Sequence, residues 1–162
     1  MTYKKLGRVK SRFLKIGLLC AMFIFLIVLP AAATDIDMYI GQNEMWVDGQ
    51  SVPLDAAPYI QQDRTMVPLS AIATAFGAHV TADYYESGLE AEIDYRNVKL
   101  FLLLGDRGAH YINEAGNDTV VSMDVAPELR NDRMFVPVSF IARGFGAKVS
   151  WDPYLQNINI QQ

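Results

Sequence analysis

The apolar positions of this chain follow two periods, and the same succession of periods is written twice. Leu69, Ile72, Ala73 and Phe76 recur at i, i+3, i+4 and i+7, which lays one apolar stripe along a short helix. Val138, Ile141, Ala142 and Phe145 repeat that spacing 69 residues later. Pro68 and Pro137 precede the stripes, where a helix can begin, because proline at the first helical position costs no hydrogen bond. Gly77 and Gly146 follow them, and glycine accepts the left-handed backbone that ends a helix. Beyond the glycines, Ala78, Val80, Ala82 and Ala147, Val149, Trp151 alternate with polar residues, the period of a half-buried strand.

Upstream of each stripe, two short apolar runs flank Gln62-Asp63 in the first copy and Asn131-Asp132 in the second. Two such residues between strand-like runs predict a tight hairpin at positive φ. From Val52 to Asp83 against Val121 to Asp152, 16 of 32 positions are identical. Residues 89–95 and 157–160 predict closing strands, and the near-continuous apolar run at 97–105 predicts a central strand buried on both faces. No low-complexity linker separates the copies, whose joint falls at Tyr95-Arg96-Asn97. Repeat units of about 36–95 and 97–160 would each be marginal alone. The pattern therefore predicts one α+β domain over 34–162, mainly antiparallel strands and hairpins with two short helices. Its two pseudo-symmetric units would share a core.

The first 33 residues read differently. Six basic residues, an apolar run from Ile16 to Leu29, Pro30 and then Ala31-Ala32-Ala33 are the grammar of a secretory signal peptide cleaved after Ala33. An uncleaved membrane anchor is the alternative, since the run approaches spanning length. Cys20 sits in mid-run without the setting of a lipidation site, so removal of the signal leaves a protein without cysteine that cannot rely on disulfides. Beyond residue 33 stand all 18 acidic residues but only 8 of the 14 Lys and Arg, a net charge of −10. Such a surface repels nucleic acid and anionic lipid, leaving contact with a membrane to the signal segment if it is kept. The expected location is secreted or at the cell envelope.

The doubled pattern Asp-Arg-x-x-Val-Pro-[Leu/Val]-Ser-x-Ile-Ala-x-x-Phe-Gly-Ala-x-Val-x-x-Asp resembles the copper amine oxidase N-terminal-like domain, also called the stalk domain, of secreted bacterial proteins. The resemblance covers about residues 36–160. That family usually has Gly before the Arg and Arg after Val-Pro-Leu, where this chain has Asp63, Asp132, Ser70 and Ser139. It commonly has Trp where the first copy has Ala82 and the second keeps Trp151. The resemblance implies a non-catalytic module, with copper and the quinone cofactor held by a different domain.

The residues agree with that expectation. His79 and His110 are the only histidines, too few for a copper site, and no Asn-Tyr-Asp/Glu setting is present for a quinone. Ser70 and Ser139 fall within predicted helices, without the elbow that activates a nucleophilic serine. Glu86, Glu90, Glu92 and Asp94 alternate as the solvated face of a strand would, with no calcium-loop spacing. The rival reading makes them the carboxylates of a small secreted hydrolase, which requires two acids facing one cleft. Arg64 and Arg133 are expected to be structural, satisfying carbonyls near their hairpins or pairing with Asp83 and Asp152 of their own units. No cofactor is expected. Trp151, Tyr154, Tyr84 and Tyr85 are the candidate surface for a cell-wall glycan or an envelope protein, because exposed rings stack on sugars or anchor interfaces, while for Trp151, as for Trp46, the alternating strand period makes core packing the competing explanation. An open sheet edge at 97–104 would favour the protein partner.

Overall fold

The computed structural model describes residues 33–162, and the predicted signal segment, with Cys20, lies outside them except for Ala33. Seven strands and one helix come from each half. In the first half they are β1 (Asp35–Tyr39), β2 (Glu44–Val47), β3 (Gln50–Pro53), β4 (Tyr59–Gln61), β5 (Arg64–Pro68), α1 (Leu69–Ala75), β6 (His79–Tyr85) and β7 (Gly88–Tyr95). The second half repeats the order with β8 (Val98–Leu103), β9 (Gly108–Ile112), β10 (Asp118–Ser122), β11 (Glu128–Arg130), β12 (Arg133–Pro137), α2 (Val138–Gly144), β13 (Lys148–Asp152) and β14 (Asn157–Gln161). Every strand pairing is antiparallel, as the α+β expectation requires.

Turn chemistry sets the local elements. Gln62, Asp63, Asn131 and Asp132 all have positive φ, between 48° and 58°, as the predicted hairpins demand. Both helices end as their glycines require. Gly77 N–H donates to the Thr74 carbonyl and Ala78 N–H to that of Ala73, while Gly146 and Ala147 repeat the pair on Arg143 and Ala142. Gly77 and Gly146 stand at φ 75° and 69°. The prolines sit one place earlier than the sequence suggests. Pro68 and Pro137 close β5 and β12 in extended conformation and serve as helix N-caps, each still facing a strand partner.

The assembly of these elements into sheets interleaves the two halves. One five-stranded sheet runs β13-β14-β1-β2-β3, and the other runs β10-β9-β8-β7-β6. Each therefore takes three strands from one half and the closing hairpin from the other. A third sheet, β11-β12-β5-β4, joins the two inner hairpins along β5 and β12. Val67 faces Val136 at its centre, flanked by Met66 opposite Pro137 and Pro68 opposite Phe135. The two residues at that centre differ by the 69-residue offset of the repeat.

One continuous core includes Ile36, Met38, Ile72, Ile93, Leu102, Ile141, Ile158 and Ile160, drawn from both halves. A smaller cluster of Ala56, Met66, Val125 and Phe135, covered by Tyr59, lies apart from it. Full burial of a side chain of this size contributes roughly 1.5–3 kcal/mol, and much of that burial here is of one half against the other.

Two strands depart from their sequence reading. β8 is central, as expected, but buried on one face only. Leu100 and Leu102 point inward while Phe101 and Leu103 are half-exposed, because no layer covers the outside of that sheet. β6 is exposed at six of its seven positions, with only Val80 half-buried, since it is an edge strand. The acids behave as a solvated face: Leu89, Ala91 and Ile93 of β7 are buried, while Glu90, Glu92 and Asp94 alternate with them. Among the described residues no helix is long and apolar enough to cross a membrane.

Candidate binding groove at Trp151

Trp151 stands on β13 opposite Ile158 of β14, on the same face as Val149. That face leads to the core, but β13 is the edge of its sheet, and the ring remains 41% exposed. It lines a groove of about 400 Å³ with Ile60, Arg64, Thr65, Val138, Ser139 and Ile158. The walls come from three elements: the β4–β5 hairpin, the first turn of α2 and the β13–β14 hairpin. They are mostly apolar, with Ser139 and Thr65 as hydroxyls and Asp63 at the margin. At the corresponding place in the first half stands Ala82, whose methyl supplies no comparable wall.

Arg64 belongs to this groove, but its guanidinium is committed. Nε donates to Asp124 Oδ2 at 2.7 Å and Nη1 donates to the Asp63 carbonyl at 3.1 Å. Arg133 repeats the arrangement on Asp55, with Nε at 2.8 Å and Nη2 at 2.6 Å, and on the Asp132 carbonyl at 3.1 Å. The expected pairing with Asp83 and Asp152 is therefore corrected. Each arginine holds the carbonyl of its own hairpin but an aspartate of the opposite half. Asp152 instead accepts from the backbone N–H groups of Tyr154 and Leu155, fixing the turn that follows β13. Asp83 lies in β6 opposite Glu90. The Arg64 hydrogen bond and charge hold the Asp124 carboxyl below the usual carboxylate range.

The four candidate aromatics do not form one surface. Trp151 and Tyr154 share the β13–β14 hairpin, and Tyr154 is 96% exposed. Tyr84 and Tyr85 end β6, in the other five-stranded sheet. Trp46, by contrast, packs edge-on against Tyr39, with ring centroids 5.7 Å apart. The lining residues Ile60, Thr65, Val138 and Ser139 carry no signal in the sequence, since the hairpin and helix turn that present them are each common to both copies.

His79 on β6 and His110 on β9 are separated by three strand spacings, about 14 Å, and His110 instead faces the Asp118 carboxylate at 3.1 Å. Among the described residues no three His, Cys, Asp or Glu side chains converge to hold a metal ion, so they do not fit a copper centre. Of the acids of β7, Glu92 and Asp94 both pair with Lys99 on the outward face, and none lines the Trp151 groove.

The copper amine oxidase N-terminal domain family matches the chain twice, over residues 27–90 and 83–160, and the chain belongs to that family. It is a non-catalytic stalk domain, the catalytic domain of the oxidases being separate. No curated protein and no solved structure matches the chain.

Proposed function

We propose that this protein is an exported binding or spacer module of the cell envelope, built from two pseudo-symmetric halves, that presents the Trp151 groove to a cell-wall glycan. The groove carries this reading, because an aromatic ring left 41% exposed above an apolar cleft offers a stacking surface for a sugar ring. Ser139 and Thr65 at its wall supply hydroxyls for polar contacts. The acidic surface agrees with an uncharged ligand, since it would repel anionic polymers. Two-fold character is supported by the symmetric Val67–Val136 register and by the reciprocal pairs Arg64–Asp124 and Arg133–Asp55, whose members are related by the same offset.

Retention on purified cell-wall sacculi tests the reading. The exported chain is expected to be retained, and a folded Trp151→Ala variant is expected to lose most of that retention while its Tm stays within a few degrees of the parent. Equal retention of the two would remove the groove as the site. No retention of the parent would turn the search to a protein partner, for which the exposed edge strand β6 offers a surface.

A further inference from the structure

The chain passes from its first half to its second only through Arg96-Asn97, a two-residue turn inside the β7–β8 hairpin. Both residues have positive φ, 48° and 66°, and neither is glycine. Gln62-Asp63 and Asn131-Asp132 make the same kind of turn without glycine, but each lies within one half, so Arg96-Asn97 is the one of the three that joins the halves. Arg96 lays its guanidinium over the Tyr95 ring, 4.9 Å from its centroid. Short strained connections of this kind invite exchange between copies.

We propose that two copies of this chain exchange halves. The Arg96-Asn97 turn opens so that residues 35–95 of one copy complete residues 98–161 of the other. Everything that joins the halves survives the exchange. The β1–β14, β5–β12 and β7–β8 pairings form between chains instead of within one. So do the Arg64–Asp124 and Arg133–Asp55 ion pairs, the Tyr59–Glu128 hydrogen bond and the Phe76–Phe145 contact. The backbone strain at Arg96 and Asn97 is released when β7 and β8 run on as one strand from Gly88 to Leu103. That strand is on the order of 50 Å long and links two lobes. The occupant is a second copy because the complement of each half is the other half of this same sequence. Mass action then makes protein concentration the control.

The test uses the chain expressed at full length and purified after export, refolded at low and high concentration and sized by light scattering. The dimer fraction is expected to rise with refolding concentration and to persist on dilution. Arg96→Pro with Asn97→Val, which disfavours positive φ at both places, should enlarge the dimer fraction several-fold. Arg96→Asn with Asn97→Gly, the preferred turn pair, should leave monomer alone. A second measurement distinguishes exchange from side-by-side association. Chains carrying Arg64→Cys and chains carrying Asp124→Cys, both with Cys20→Ser, are refolded together and bridged by a short bis-maleimide. A covalent pair of chains in the dimer fraction is expected. Monomer alone at high concentration, or a dimer that yields no covalent pair, overturns the proposal, and the bridging result decides if the Pro/Val variant does not fold.

Discussion

Arg64 and Arg133 each stand on a hairpin of one half and hold an aspartate of the other, so a single residue type ties together local turn and long-range contact. The partners are half-exposed, with Arg133 and Asp55 side chains 42% and 71% accessible, which limits what each pair contributes. A double-mutant cycle on Arg133→Ala and Asp55→Ala should give a coupling of about 0.2–1 kcal/mol, and a value well above that range would mean the pair is better shielded than its exposure indicates. Titration adds two limbs to the stability profile. Asp124 is held below its ordinary value of 3.8, so its contribution is present above that pH and fades as the pH falls through the lowered folded-state value. Tyr59 is raised above its ordinary 10.0, by burial first and by its hydrogen bond to Glu128 second. Lys99 is raised above 10.5 by its hydrogen bond to Glu92. For both, the folded state keeps a proton that the unfolded chain releases, so stability declines as pH rises above about 10. Urea unfolding across pH 3–11 should show both limbs, with Asp124→Asn flattening the acid one and Tyr59→Phe the alkaline one.

At the scale of elements, the helix ends separate two roles of glycine. Gly77 and Gly146 have nothing within 4 Å of where a Cβ would sit, so replacing them strains only the backbone. Gly77→Ala and Gly146→Ala should each cost about 1–2 kcal/mol through the left-handed conformation. Gly144 closes α2, and the nearest atom to its absent Cβ is 4.0 Å away, so Gly144→Ala should instead stabilise by about 0.5–1 kcal/mol. Thermal unfolding of the three variants checks the opposite signs. These elements were readable in the sequence because turn, proline, helix stripe and glycine are each local chemistry, repeated at one offset. Sheet neighbours were not readable. The period of β8 said that the strand is apolar, but whether a layer covers its outer face is decided by strands far away in the chain. The arginine partners were missed for the same reason. A local choice favours Asp83 and Asp152, although Asp55 and Asp124 recur in the repeat and were available as a signal. Of the groove, Trp151 was legible as an aromatic that only one copy keeps, on a strand whose period fits core packing as well as binding, and neither its exposure nor the walls that face it were.

For the whole molecule, the interleaving of sheets explains why the sequence is written twice. Neither half contains a complete five-stranded sheet, and the main core takes side chains from both. The Trp151 groove obeys the same rule, since Ile60, Arg64 and Thr65 come from the first half while Val138, Ser139 and Trp151 come from the second. A groove assembled in this way exists only when the halves are together. The most direct measurement is therefore the folding of the halves as separate fragments, residues 34–96 and 97–162, followed by circular dichroism and tryptophan fluorescence alone and mixed. Each fragment is expected to lack a cooperative thermal transition by itself. Their equimolar mixture should recover one, together with a shift in tryptophan emission. A cooperative transition in either fragment alone would contradict the shared core on which the groove and the exchange of halves both depend.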